Sequence, residues 1–556
     1  MNSFVCRKDY PVVQTEAGKL RGYVWNGTFI FKGIKYADAK RFRRPEKVEP
    51  WEGVKDAQSY GMVCPLLQQD TPGGELMVPH MYWPMDEHCQ YLNIWTQSID
   101  REAKKPVMVW LHGGGFFAGS SIEQLAYDGE NMSRYGDVVV VSLNHRLNVL
   151  GYLDLSPFGE EYKDSANVGN LDMIAALQWV QENIAGFGGD PDNVTIFGQS
   201  GGGAKVWTLM QMAEADGLFH KGIIQSGVYG MMDDVEGQDG TQIVEQMLKL
   251  LKNSGEAAAA VQEEKKQGLD DAEGMDTAGQ NTKKKNAETS GQSGSAVPDV
   301  KILETLPYAK LAELYNQAAP AVQAQGGYVG GSPHMGELYA GNPVRHGFRA
   351  HAKEIPLLIG TVLGEFDFWP PIPGKQDLTA AQTDALLQKR YGEAAERVKE
   401  LFVQAYPDKL PVEALAVDTL FRAPTIRFIE ERAKTPSSQT YSYQFTYTFP
   451  LHDGKIAWHC SEIPFVFHNI DKVPVCNKDE KTEQLQENIF GAWIQFARTG
   501  KPEIEGVTWP ACSAGDEAVM ILDETCEVRH NVDHELVALL EGLPVPEELM
   551  HGEIQH

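Results

Sequence analysis

Cysteine is scarce in this sequence, 7 in 556 residues, far too few for a disulfide-stapled scaffold. Positive charge is in deficit as well. Lys and Arg number 49 against 77 Asp and Glu, a formal net charge of −28. No basic stripe offsets it, so phosphate backbones are repelled and nucleic acid is excluded as a partner. No run approaches the roughly 20 consecutive apolar residues of a membrane span. At the N-terminus Arg7, Lys8 and Asp9 arrive with no apolar stretch behind them, so no secretory leader is expected. A cytoplasmic chain fits, and a secreted one already relieved of its leader reads the same. Neither G-x-x-x-x-G-K-[ST] nor G-x-G-x-x-G occurs, which leaves nucleotide binding without a phosphate loop. H-E-x-x-H is missing too, and no solenoid-length repeat is present. His530 and His534, four apart beside Asp533 and Glu535, read as a solvated helix start in preference to a metal pair. No metal and no cofactor is expected.

What is present is a large apolar complement, 42% of residues, enough to fill an extensive core. Length alone suggests three or four domains, a soft prior that large α/β enzymes ignore. The first hundred residues carry β signals: Val12–Thr15 and Leu20–Trp25 flank a turn at Gly18, and Asn26-Gly27 opens a hairpin into Thr28–Phe31. After Pro106 the pattern changes. Val107–Leu111 and Val138–Leu143 are continuous apolar runs, as expected of strands covered on both faces in a mostly parallel sheet. Leu171–Ile184 reads as a buried helix ended by a Gly-rich breaker, and Val194–Phe197, Gly222–Gln225 and Ile355–Gly360 as further strands. The alternation predicts an α/β fold. From Ser254 to Ala296 there is no aromatic residue, and the segment contains Ala257–Ala260, Glu263-Glu264-Lys265-Lys266 and Lys283–Lys285. Such a stretch buries too little surface to offset its ordering entropy, so residues 254–296 are expected to be a mobile surface insertion.

Two glycine-rich motifs carry chemistry. Gly198-Gln199-Ser200-Gly201-Gly202 matches G-x-S-x-G, with a strand before it and an expected helix, Ala204–Met210, after it. That is the strand–turn–helix of a nucleophile elbow, whose turn is so tight that side chains two residues either side of the serine would collide. The helix start beneath Ser200 favours developing negative charge. His112-Gly113-Gly114-Gly115-Phe116 comes directly after a buried strand and matches the loop that supplies backbone N–H groups to an oxyanion. Backbone donors suit this task because they are fixed before charge appears.

With these motifs the chain resembles a type-B carboxylesterase, of the carboxylesterase/cholinesterase family on the α/β-hydrolase fold. Asp86–Trp95 is similar to the family's E-D-C-L-Y-L-N signature, Asn183–Gly202 to the run ending in its nucleophile, and Ile224-Gln225-Ser226-Gly227 to a segment just after it. The similarity runs from about Val12 to His534, which implies one catalytic domain over 1–556 interrupted by the insertion. There are departures. Gly201 stands where the family usually has Ala, Gln90 replaces a Leu and Met173 a Gln. The resemblance implies a large, mostly parallel central sheet with an antiparallel N-terminal portion and helices on both faces. It also implies a Ser-His-Glu triad. Gly360–Phe366 resembles the segment G-x-x-x-D-E-G and places the acid at Glu365, with Asp367 its near rival. Trp458–Phe467 resembles the histidine loop ahead of E-[LI]-P-[FY] and selects His459 over nearby His452 and His468. By the same resemblance Gly114, Gly115 and Gly201 donate to the oxyanion, and Ser226 supports Glu365. Cys64 and Cys89 match a pair bridged in secreted relatives, which a cytoplasmic chain would keep reduced.

Phe116, Phe117, Phe366, Phe368, Trp369 and Trp458 adjoin these loops and are candidates for an apolar acyl or aryl pocket, with core packing as the alternative. The expected function is hydrolysis of small-molecule carboxylic esters through an acyl-enzyme, by a monomer. Two other readings remain: a catalytically silent, cholinesterase-like binding protein, and a lipase that works at interfaces. Organophosphate labelling of Ser200 separates the first, and a jump in activity at micelle formation the second.

Overall fold

The computed structural model describes residues 3–67, 79–230, 237–254, 299–366 and 372–544. The insertion expected at 254–296 lies outside them except for Ser254, as do Asp367, Phe368 and Trp369.

Twelve strands form the main sheet. In chain order they are β1 (Phe4–Val5), β2 (Tyr23–Trp25), β3 (Thr28–Lys35), β4 (Tyr91–Thr96), β5 (Lys105–Leu111) and β6 (Val139–Leu143). They continue as β7 (Gly189–Gln199), β8 (Lys221–Gln225), β9 (Leu357–Val362), β10 (Thr440–Phe445), β11 (Ala518–Leu522) and β12 (Glu527–His530). Across the sheet this order holds except that β5 and β6 exchange places. The run from β6 through β5 to β11 is parallel. The strands from β1 to β4 pair antiparallel, as do β4 with β6 and β12 with β11. The mostly parallel α/β-hydrolase sheet expected from the sequence is therefore present, with its antiparallel N-terminal portion.

Seven helices matter here: α1 (Val168–Asn183), α2 (Gly201–Met210), α3 (Thr241–Asn253), α4 (Tyr308–Gln323), α5 (Arg422–Ala433), α6 (Glu480–Thr499) and α7 (His534–Glu541). The apolar runs of the strands are continuous because each serves two cores. Val107, Val109 and Leu111 pack with Val139, Val141 and Ile196 beneath α1 and α2. Met108 and Trp110, pointing the other way, pack with Val140 and Phe197 against Ile489, Trp493 and Phe496 of α6.

The N-terminal hairpin turns at Asn26-Gly27, with φ of 48° and 89°. The strand expected over Leu20–Trp25 is broken at Gly22. Lys19–Arg21 pairs with Val12–Gln14 in a separate small sheet, and only Tyr23–Trp25 joins the main one. A Cβ on Gly22 would lie 2.3 Å from the Ile30 carbonyl oxygen, so the two sheets meet backbone on backbone.

The C-terminal histidines also depart from expectation. His530 lies on β12 against Asp516, while His534 opens α7 with its ring turned onto buried Glu517 at 2.7 Å. They share no helix face, and His534 is not a solvated helix start. Glu517, Asp533 and His534 bring one ligand atom each within 4.8 Å of one another. A cation already sits among them: the Arg422 guanidinium, 1% exposed, holds Glu517 through Nη1 and Nη2 at 2.8 Å and Asp533 through Nη2 at 2.7 Å. Burial pushes the Glu517 carboxyl up, but Arg422, His534 and Ser442 outweigh it and bring it down to about 2. Cys64 and Cys89 are buried free thiols.

Arg422→Met strands two buried carboxylates and is expected to cost about 3–5 kcal/mol, read as a fall in the urea midpoint. Adding Glu517→Gln and Asp533→Asn to that variant should restore part of the loss. Because the Glu517 carboxyl is depressed below its unfolded value of about 4.3, its stabilisation is present at neutral pH and disappears as pH falls from about 4 towards 2.

Candidate active site

The parallel strands end together, and the segments leaving them gather at one edge. Leu111 is in register with Gly198, Gln199 with Gln225, and Gln225 with Gly360. His112, Ser200, Ser226 and Glu365 therefore emerge from β5, β7, β8 and β9 side by side. This is the carboxyl edge of an open α/β sheet, at the point where strand order reverses.

Ser200 joins β7 to α2 with φ 56° and ψ −127°, a conformation sparsely populated by non-glycine residues. Its N–H donates to the Gln225 carbonyl at 2.8 Å, which fixes the turn against β8. The glycines flanking it answer to crowding. A Cβ on Gly202 would fall 2.0 Å from the Leu111 carbonyl oxygen, and one on Gly198 would fall 2.5 Å from both that oxygen and the Gly202 carbonyl carbon. Gly201 meets the other loop. A Cβ there would lie 2.3 Å from the N, Cα and O of Gly115. Gly201 stands where the family usually has alanine. In this structure it is what lets the Gly113–Gly115 loop lie directly on the start of α2.

The loop is held in a tight turn, with the N–H groups of Phe117 and Ala118 both donating to the Gly114 carbonyl. Gly114 and Gly115 have φ of 81° and 61°. Gly114 is exposed, Gly115 half-buried, and Gly201 buried at the helix start. The three positions proposed from sequence thus converge on one place.

The carboxylate and imidazole are joined. Glu365 Oε2 lies 2.5 Å from His459 Nδ1, and the His459 N–H donates to the Glu365 carbonyl at 2.9 Å. Glu365 Oε1 accepts from Ser226 Oγ at 2.6 Å and from the Val362 N–H at 3.0 Å. Burial pushes the Glu365 carboxyl up, against the pull of those two donors. Burial also lowers the imidazole to about 4, partly opposed by Glu462 and Asp418. The direction that matters is that of the imidazole, which is neutral at pH 7. Ser200 Oγ and the imidazole are not hydrogen-bonded to each other. Gln199, one residue before the serine, places its Nε2 3.4 Å from both ring nitrogens. Gaps of this kind are common in ligand-free sites.

Aromatic rings pack on the imidazole. Phe366 lies 4.3 Å from it between centroids, and Phe421 stacks at 5.0 Å and 29°. Tyr229 meets Phe421 edge-on at 5.4 Å. Phe366 was expected near the site; Phe421 and Tyr229 were not, because nothing in their local sequence points there. Asp418 holds Phe421, accepting its N–H at 2.8 Å and those of Leu420 and Arg422 at 2.9 Å.

Two other pocket candidates take the alternative reading, core packing. Phe116 is 1% exposed and packs edge-on against Tyr152 at 5.2 Å, and Trp458 is 9% exposed and packs on Phe449 at 4.4 Å. Both pack into the core on rings other than those beside the imidazole. Phe117, 41% exposed, stands beside Gly115 at the open side of the loop. Trp369 lies outside the described residues. Of the rival histidines, His468 pairs with Glu487 and stacks on Tyr135, and His452 is exposed on a turn.

The sequence profile of the carboxylesterase family matches residues 9–539. The chain belongs to that family. This carboxylesterase is 33% identical over 541 residues to the para-nitrobenzyl esterase of Bacillus subtilis (strain 168), covering 95% of this chain and 97% of that one. It is 31% identical over 559 residues to the phenmedipham hydrolase of Pseudarthrobacter oxydans, covering 95% and 99%. Among solved structures it resembles an esterase from anaerobic Clostridium hathewayi, described as able to hydrolyze aliphatic aromatic polyesters. The TM-score is 0.87 and the identity 49%, over 97% of this chain and 99% of that one. Hydrolysis of carboxylic esters is the chemistry of the family. Among the described residues, no helix of this carboxylesterase is long and apolar enough to cross a membrane.

Gly201→Ala tests the contact between loop and helix. The added methyl should displace Gly115, lowering kcat at least about tenfold with KM little changed, because misplaced donors act on the transition state. Steady-state kinetics on a soluble p-nitrophenyl ester would read this; an unaltered kcat would show that the loop yields freely.

Proposed function

We propose that this carboxylesterase works through Ser200, His459 and Glu365 by way of an acyl-enzyme, as one catalytic unit. His459 Nε2 takes the proton from Ser200 Oγ as that oxygen attacks the ester carbonyl. The oxyanion so formed is met by the N–H groups of Gly114, Gly115 and Gly201. The imidazolium returns its proton to the leaving alcohol as the C–O bond breaks. A water, deprotonated by the same imidazole, then releases the acid and regenerates Ser200. Glu365 keeps the proton on Nδ1 and steadies the imidazolium, and Ser226 keeps Glu365 in place. The observation that carries this reading is the 2.5 Å contact between Glu365 and His459, at the sheet edge where Ser200 occupies its strained elbow.

The substrate class follows from the wall around the imidazole. Phe366, Phe421 and Tyr229 form a row of rings beside it, with exposed Phe117 near the loop. Such a wall favours flat apolar groups, by burial and by ring–ring contact worth about 0.5–1.5 kcal/mol. We infer that esters with an aromatic acyl group are preferred, in keeping with the polyesters named for the Clostridium hathewayi enzyme.

Ser200→Ala should fold normally, lose ester hydrolysis by at least about 10³-fold, and resist organophosphate labelling. Full activity in the folded variant would overturn the assignment. The pH dependence has a definite sign. A protonated imidazole cannot accept the serine proton, so kcat/KM falls as pH drops through the His459 pKa. Burial lowers that value from 6.5 towards about 4, and the acid limb should lie below 6.5. For substrate, ethyl benzoate and ethyl cinnamate should exceed ethyl cyclohexanecarboxylate in kcat/KM, with smooth saturation below the micelle threshold. Equal values for the aromatic and the saturated ring would count against the ring wall, and a jump at micelle formation would favour an interfacial lipase.

A further inference from the structure

The helix behind the nucleophile carries a lysine with no part in the reaction above. Lys205 is four residues after Gly201, on the same face of α2, and is fully buried. Its ammonium donates to the main-chain carbonyl of His112 at 2.8 Å. His112 is the residue from which the Gly113–Gly115 loop springs. The far end of the loop is fastened separately, by the Asn148 N–H on the Phe116 carbonyl at 2.8 Å and Asn148 Nδ2 on the Phe117 carbonyl at 3.2 Å. One side chain therefore links the base of the loop to the helix whose first N–H faces the same oxyanion.

Burying an amine is costly unless a hydrogen bond or a charge offsets it, and methionine would fill the space without that cost. Burial draws the Lys205 ammonium down to about 7, opposed by the charges of Glu123 and Cys64. Glu123 is itself desolvated, with its carboxyl up near 7. His112 and His145, stacked at 5.3 Å, complete the polar surroundings, and burial holds both imidazoles neutral. The Lys205 Nζ also lies 5.8 Å from the Phe116 ring centroid. The amine is thus placed where its hydrogen bond can set the loop's height above α2.

We propose that Lys205 is a positioning residue for the oxyanion loop: through the His112 carbonyl it holds the N–H groups of Gly114 and Gly115 in line with that of Gly201. The proposal rests on the oxyanion-hole reading above. It concerns the transition state, since the loop's donors bind charge that appears only there.

The test compares Lys205→Met and Lys205→Gln with the parent enzyme. The readouts are kcat and KM on p-nitrophenyl butyrate, the Ki of an alkyl trifluoromethyl ketone and that of the matching methyl ketone. The trifluoromethyl ketone adds to a serine hydroxyl and puts its oxyanion in the hole; the methyl ketone binds as an unreacted ground-state mimic. Lys205→Met should lose about 10- to 100-fold in kcat with KM within about twofold, and the trifluoromethyl ketone Ki should rise by the same factor. The methyl ketone Ki should not move. Lys205→Gln, with a shorter side chain that still carries an N–H donor, should lose less. A folded Lys205→Met protein with parental kcat overturns the proposal, and so does a loss of kcat with an unchanged trifluoromethyl ketone Ki. Should Lys205→Met fail to fold, Lys205→Gln is judged by the same two outcomes. A parent enzyme indifferent to the trifluoromethyl ketone would instead overturn the oxyanion-hole reading, and the lysine's role with it.

Discussion

The site depends on main chain pressed against main chain where β5 and β7 end. Gly202 leaves no room for a Cβ beside the Leu111 carbonyl, and Gly201 leaves none beside Gly115. Close packing of this kind transmits small displacements with little give. It sets where the Ser200 hydroxyl and the loop's N–H groups stand relative to each other before any substrate arrives. The strand register carries the same relation outward to β8, which places Ser226, while Glu365, three residues past the end of β9, is held by Ser226 Oγ and the Val362 N–H. The functional groups are spread over the chain from His112 to His459, but a single sheet edge collects them.

Around that edge the protein keeps several ionisable groups away from water. Glu365, Glu462 and Lys205 are all almost wholly buried, and each titrates away from its ordinary range because of it. In such surroundings a hydrogen bond or a partial charge is worth more than at the surface, and an unmatched one costs more. The large net negative charge lies elsewhere in its effect: it bears on solubility and on repulsion of polyanions, and has no direct hand in the site.

Much of this could be read from the sequence, for identifiable reasons. Glycine spacing around Ser200 and after His112 reports sterics that few other residues satisfy, and the structure packs the two motifs against each other. Continuous valine runs announced strands covered on both faces. Glu365 and His459 could be chosen only by resemblance, since nothing local separates them from other carboxylates and histidines. Where reading failed, direction was the missing information. Phe116 and Phe117 are neighbours, yet one ring enters the core and the other faces solvent. Phe421 reaches the imidazole because Asp418 and the start of α5 bring it there, a tertiary fact with no signature in the residues around it. Gly22 divides what looks like one strand because a carbonyl from β3 occupies the space of a side chain.

Phe421 and Arg422 are adjacent at the start of α5 and face in opposite directions. One ring lies on the His459 imidazole, and the guanidinium beside it is locked between Glu517 and Asp533 near the C-terminal end of the described chain. Positions 517 and 533 therefore bear, through Arg422, on the start of α5, the same place that carries the ring beside the imidazole. A buried ion pair and the ring that packs on the imidazole thus share two consecutive residues of one helix start.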